Sequence, residues 1–333
     1  MKTTLALLAA PALFALAAHG VPAAAQTLQP GEVATDIRAI AGVVAGDAAW
    51  EQVWSGPMAA DGMSVTQDGL LLFAQEQSNA IWKLWPDGRS FVEVPYVLGA
   101  GAVSVDAAGR MLAVERGCSD PGLSQLTCER RSAVVQLNPD RRVIADAMPD
   151  GSTLGRLNDL YADGRGGAWF TQGALYHTDA EGNVTTVATM ETFSNGVVTS
   201  PDGRTLYVTD RTTIRAYDVN ADGLTSNARV FATLARDTQG FGGDGLEVDN
   251  AGRLYVTGDA GVYVFAADGT ELGVIPTPRR SITLALAGPE RNMLYIGTMG
   301  AATPAGALWT PPHGERNIAM TIYRVPVQAR GVR

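Results

Sequence analysis

From Asp61 onward, apolar and polar residues alternate in short runs separated by Gly, Asp, Asn and Pro. Alternation over four to eight residues predicts half-buried strands, and the three-and-four spacing of an amphipathic helix is almost nowhere sustained. One phrase recurs at intervals of about 40–50 residues: a polar opener, an alternating run, a turn and a second apolar run. Its copies are DGMSVTQDGLLLFAQ from Asp61, GAVSVDAAGRMLAVE from Gly101, NDLYADGRGGAWFTQ from Asn158, NGVVTSPDGRTLYVTD from Asn195, DGLEVDNAGRLYVTG from Asp244 and ITLALAGPERNMLYIG from Ile282. A third run such as AIWKLWPDG or GVYVFAADG follows most copies, and a fourth such as FVEVPY or NVTTVATM often completes the unit. Six units of four strands predict an all-β, six-bladed β-propeller, which closes into a ring and leaves few exposed edges. A sandwich of the same strands would not explain the period.

The segment before the repeats changes the picture in one respect. Lys2, the run LALLAAPALFALAA and the small residues VPAAAQ read as a secretory signal peptide over residues 1–25, leaving 26–333 as a single propeller domain. Pro11 and His19 interrupt the run, which falls short of the ~20 residues a bilayer requires, so no membrane span is expected in the mature chain and a periplasmic or secreted location is. Two cysteines, Cys118 and Cys128 in CSDPGLSQLTC, suit a loop-closing disulfide in an oxidising compartment. The net charge of −9 carries no Lys/Arg runs, which argues against a nucleic-acid partner. The 38 glycines fall in no low-complexity tract and so mark turns.

In a propeller the first strand of every blade lines the central channel, so the six openers lie at one end of the axis. They are Asp61, Gly101, Asn158, Asn195, Asp244 and Ser281 or Ile282. Asn and Asp before Gly also serve tight turns, and that reading suits any one of them alone. Four oxygen-bearing openers at equivalent positions point instead to a shared centre. Two carboxylates about 5 Å apart repel by roughly 3 kcal/mol at an effective dielectric of about 20, so the bare cluster would be destabilising. A divalent cation reverses the sign. Two carboxylates and two amides without sulfur or imidazole, namely Asp61, Asp244, Asn158 and Asn195, describe a hard ion that keeps waters: Ca2+ first, with Zn2+, Mn2+ or Fe2+ as alternatives.

In that order and spacing, RLNDLYADGRGGAWFT, SNGVVTSPDGRTLYVTD and GDGLEVDNAGRLYVTG resemble the senescence-marker-protein/gluconolactonase/luciferin-regenerating-enzyme family of six-bladed propellers, over Asp61 to Val327. The resemblance implies a divalent metal held by an acidic residue of a Glu-Gly-Pro motif, an Asn of an Asn-Gly motif and an Asp of an Asp-Gly motif, which fall on Asp61, Asn195 and Asp244. An Arg-x-Asn-Asp motif falls on Arg156, Asn158 and Asp159. It implies that Arg156 and Asn158 meet the substrate and that Asn158 is an outer or fourth metal ligand. Two departures stand out: Asp61-Gly62-Met63 replaces Glu-Gly-Pro, and Glu115-Arg116-Gly117 stands where gluconolactonase-like members carry Glu-His-Gly. Arg116 cannot accept a proton, and His177 in ALYHTD reads as an ordinary strand residue.

The expected activity is hydrolysis of a sugar lactone or similar small lactone, with the metal as Lewis acid and a carboxylate assisting water. Asp244 is the first candidate for general base; a neighbouring cation would lower its pKa, so Asp159 or Glu115 are candidates to share the role. The remaining substrate contacts are expected from Arg156, Asn158, Asp159 and Glu115. An insertion over residues 297–320, carrying Trp309, His313, Glu315 and Arg316, is placed to cover a small polar ligand. Alternatives are an arylesterase or phosphotriesterase-like hydrolase, and a non-catalytic propeller that binds a ligand or a protein.

Overall fold

In the computed structural model the described residues are 27–332, apart from 123–127, 129, 191, 222, 238 and 239. The expected leader over 1–25 lies outside them. The described strands form six four-stranded antiparallel sheets. Five are consecutive in the chain, with innermost strands Asp61–Val65, Ala100–Val105, Leu160–Ala162, Ser194–Thr199 and Leu246–Val248. We number these blades one to five. Blade six takes Ser281–Ala287, Met293–Met299 and Met320–Pro326 from the end of the chain and its outermost strand, Glu51–Gly56, from the beginning. The architecture is a six-bladed β-propeller, and that shared blade closes the ring. Among the described residues no helix is long and apolar enough to cross a membrane.

The closing strand carries no copy of the repeat, so the alternating pattern did not single it out. It is reinforced by the segment before it. Ile37, Ile40, Val43, Val44 and Trp50 are buried against Tyr255, Val262, Leu294 and Tyr323 of blades five and six. The Trp50 indole donates to the Pro276 carbonyl at 2.7 Å.

Between blades, short polar side chains of the inner strands cap backbone amides of the next blade. Ser64 Oγ accepts from Val105 N at 3.1 Å and Ser104 Oγ from Ala162 N at 3.0 Å. Glu247 Oε2 accepts from Leu286 N at 3.2 Å, and Thr283 Oγ1 accepts from Met63 N at 3.1 Å across the closure. These bonds satisfy amides that line the channel without a ladder partner. They explain why the inner strands of blades one, two, five and six, unlike purely apolar core strands, keep a polar residue within them.

The glycine that follows three of the openers has a related cause. A Cβ on Gly62 would lie 2.2 Å from Ala102 Cα, on Gly196 2.2 Å from the Asp244 carbonyl oxygen, and on Gly245 2.9 Å from Thr283 Cα. Of the three, only Gly62 has positive φ, at 47°. Close approach of neighbouring blades at the axis, more than turn geometry, therefore requires glycine here. The register shifts between Asp61 and Ser64, Ala100 and Val103, Ser194 and Val197, and Ser281 and Thr283 are bulges at the same level. A bulge re-aims side chains, and these lie where the openers meet the channel mouth.

Candidate active site

Asp61, Asp159 and Asp244 converge at the mouth of the channel formed by the strand openings. Each is partly buried; the Asp61 charge acts on Asp159, and those of Asp61 and Asp159 act on Asp244. Burial raises the Asp61 carboxyl, with the nearby Arg116 guanidinium acting against it. Burial also pushes Asp159 up to about 7; its own Leu160 amide, at 2.8 Å, and Arg116 oppose the rise, while the Asp61 carboxylate adds to it. Asp244 is raised well above the ordinary carboxylate range by burial and by the charges of Asp61 and Asp159. Three carboxyls that resist joint ionisation leave the site short of positive charge.

The amides lie beside them. Asn195 is anchored from both sides: Thr171 Oγ1 donates to its carbonyl at 2.6 Å, and its own amide donates to Thr209 Oγ1 at 3.1 Å. Gly196 N donates to the Asp244 carbonyl at 3.0 Å, tying the Asn195 turn to the Asp244 turn. The Asn158 side chain donates through Nδ2 to Asn195 Oδ1 at 2.7 Å, and its Oδ1 faces Arg116 Nη2 at 3.3 Å.

Arg116 and Glu76 are the two site residues that the repeat pattern did not identify as functional. Both sit at or just beyond the ends of second strands, Leu71–Gln75 and Met111–Glu115, one turn removed from any opener. Glu76 is buried and holds two guanidinium groups. It accepts from Arg116 Nη1 at 2.7 Å and from Arg156 Nη2 at 2.7 and 2.9 Å, and its Oε1 also accepts the Asp120 amide at 2.7 Å. Arg156 Nη1 is buried with no partner among the described residues. A signal was available: Glu76 and Arg116 are charged residues that directly follow apolar strands, where a burial cost must be offset by a partner.

Glu115 is not brought to this cluster. Successive residues of a strand point to opposite sides, so Glu115 turns away from the cleft that Arg116 enters and pairs with Arg141. His177 bonds Asp163 at 3.0 Å beside the Trp169 ring, far along its blade from the openers, in a structural setting.

A cleft of about 270 Å3 lies over the openers, lined by Asp61, Glu76, Arg116, Arg156 and Asn158 on one side. Met299, Ile318 and Met320 form an apolar wall opposite, with Arg316 at the rim. The last-blade insertion thus reaches the site through Arg316–Met320, whereas Trp309, His313 and Glu315 do not line the cleft. Arg316 pairs with Asp120 and its amide donates to the Gly122 carbonyl, which latches the insertion to the loop closed by the Cys118–Cys128 disulfide. A larger cavity of about 580 Å3 opens at the other mouth, among the hairpin turns. Its Ser64, Ser104 and Glu247 are already used as inter-blade acceptors, and Asp159 lines it from the side of the openers, whereas Asp61, Arg116, Arg156 and Asn158 line the smaller cleft.

Among the described residues no three His, Cys, Asp or Glu side chains group so as to hold a metal ion by themselves. The donor set here is mixed. Asp61 and Asp244 supply carboxylates and Asn195 an amide oxygen, a hard set suited to Ca2+ with water or substrate completing the shell. Asn158, expected as an outer or fourth ligand, has its Oδ1 3.3 Å from Arg116 Nη2, and the Asn195 oxygen accepts from Asn158 Nδ2.

A family model described as "SMP-30/Gluconolactonase/LRE-like region" matches residues 101–300. Pentonolactonase XacC of Haloferax volcanii is 31% identical over 190 residues, which cover 53% of this chain and 64% of that protein. The chain therefore spans just under two thirds of that relative. The gluconolactonase of Zymomonas mobilis is 23% identical over 291 residues, covering 76% of this chain and 77% of that protein. Among solved structures, a gluconolactonase of Xanthomonas campestris superposes with a TM-score of 0.68 at 21% identity, over 91% of this chain and 98% of the other. Regucalcin of Agrobacterium tumefaciens, described as a calcium-binding protein, superposes with a TM-score of 0.62 at 20% identity, over 86% and 96%. At these identities the two structures speak for the fold.

Proposed function

The chain belongs to the SMP-30/gluconolactonase/LRE-like family, and from that premise we propose that it is a lactonase-type hydrolase opening a sugar lactone or a similar small lactone. The observation that carries this reading is a buried guanidinium nitrogen without a partner among the described residues, Arg156 Nη1, on an arginine that lines the same cleft as Asp61. Buried donors of this kind are expensive unless a ligand completes them, and a lactone offers ring, carbonyl and hydroxyl oxygens.

A hard divalent cation held by Asp61, Asn195 and Asp244, Ca2+ by preference, would polarise the lactone carbonyl when bound. The chain's own groups supply the rest. Arg156, held flat by Glu76, donates to a substrate oxygen. Asp159 or Asp244 accepts the proton of the attacking water; burial raises both above the ordinary carboxylate range, and Arg116 opposes that rise. Arg116 cannot take a proton and instead stabilises the charges around it. The Arg316–Met320 segment covers the cleft and limits water access from above. Residues 1–25 support an exported enzyme, and the small cleft supports a small-molecule substrate.

The test measures acid release from aldonolactones and hydrolysis of an aryl ester, before and after exhaustive chelation. Asp244→Asn should abolish lactone turnover while leaving the fold intact by circular dichroism. Turnover that survives both chelation and Asp244→Asn would rule out the proposed chemistry. A preference for the aryl ester would favour the esterase alternative, for which the Met299, Ile318 and Met320 wall provides the apolar contact.

A further inference from the structure

The openers of blades one, three, four and five, Asp61, Asn158, Asn195 and Asp244, carry oxygen-bearing side chains, whereas Gly101 of blade two has none. Its place is filled from the neighbouring strand. A Cβ on Gly101 would lie 2.7 Å from Arg116 Nε and 2.9 Å from Cζ, so the glycine forms the cradle on which the guanidinium rests. Three further contacts fix that group: Nε donates to the Leu157 carbonyl at 2.9 Å, Nη1 to Glu76 at 2.7 Å, and Nη2 to Asn158 Oδ1 at 3.3 Å. Arg116 is 8% exposed, buried at the mouth of the channel.

The chemistry of the guanidinium sets both amides. It has donors only, so the Asn158 oxygen must face it, and Asn158 Nδ2 is thereby turned toward Asn195. That in turn requires Asn195 to present its oxygen, the 2.7 Å contact already described. Arg116 also acts on all three site carboxyls, holding each below where burial alone would put it.

Building on the lactonase reading, we propose that Arg116 is a resident cation of this site: it takes the Asn158 oxygen away from any bound ion and, through Asn158, orients the Asn195 oxygen. A divalent ion is then held by three side chains, Asp61, Asn195 and Asp244, and more weakly than the acidic cluster alone would hold it. An extra position is left open for substrate. Arg116 is in these terms a positioning residue that tunes the ion, with Glu76 and Gly101 as its mounts.

The test is titration calorimetry of calcium alone into the purified protein, with wild type and variants compared at one pH of about 8. Arg116→Gln removes the charge and should bind calcium roughly tenfold tighter or more, while Arg116→Lys, which keeps the charge, should stay near the wild type. Equal or weaker binding by Arg116→Gln overturns the proposal. If that variant does not fold, a calcium-loaded crystal of the wild type decides. Asn158 Oδ1 still on Arg116 and outside the ion's shell supports the proposal, and Asn158 coordinating the ion at about 2.3–2.6 Å refutes it. A wild type that binds no calcium, alongside turnover indifferent to chelation, would instead remove the metal from the lactonase reading. Calcium binding gained only in Arg116→Gln would still support the resident cation.

Discussion

Single residues in this protein are decided by whether a neighbour can offset the cost of their burial. Glu76 illustrates the favourable case, with two guanidinium groups and one backbone amide around one carboxylate. Glu247 illustrates the unfavourable one. Its two oxygens accept from the Val248 and Leu286 amides, and burial pushes its carboxyl up to about 7, with Arg291 acting against the rise. A folded-state pKa above the unfolded value contributes stability at low pH that is lost as pH rises through the folded value. Glu247→Gln is uncharged at every pH but turns its Nε2 toward an amide donor, so its melting temperature should lie below the wild type at pH 5 and gain on it by a few degrees by pH 8. A thermal-melt series over that range checks it, and a difference independent of pH would refute the assignment.

The inner strands are built as elements around contacts to the next blade. Their openers were legible in the sequence because the repeat brings six equivalent positions to one level, where four oxygen-bearing side chains stand out. Their glycines were legible as turn residues, but the reason for them lies in a neighbour distant in sequence. Gly196 shows this best, since its φ is not positive and its Cβ would meet the Asp244 carbonyl at 2.2 Å. Gly196→Ala should cost about 1–3 kcal/mol by forcing blades four and five apart. It should also weaken calcium binding, because Asn195 and Asp244 would separate. Chemical denaturation and calcium titration of that variant read the two effects. Glu115 marks the limit of reading along a strand: adjacency to Arg116 suggested a shared site, while the two-residue period turned its carboxylate to Arg141.

At the scale of the whole molecule, the ring is held shut by a strand whose partner lies at the opposite end of the chain. Glu51 pairs with Arg324 and Gly56 with Met320. Without Glu51–Gly56, strand Met320–Pro326 becomes an exposed edge, and without Trp50 and Ile37–Val44 the faces of blades five and six are uncovered. Deleting residues 27–56 should therefore lower the melting temperature sharply and produce aggregates on size exclusion. A monomeric variant that melts with the wild type would show that the ring closes without it. The latch between Arg316 and Asp120 acts at the same scale, joining the last-blade insertion to the disulfide loop across the cleft.

The amino-acid sequence alone determined the number of blades, the level at which the openers meet and the oxygen character of the candidate ligands. These follow from local alternation and from a repeat that places like residues at like positions. Tertiary structure alone decided which carboxylates share one field, that Arg116 fills the gap left by Gly101, that Glu76 clamps both arginines and that the first strand closes the last blade. Those outcomes depend on side chains and strands meeting across tens to hundreds of positions, and no local pattern records which distant partner will offset the burial of a charge.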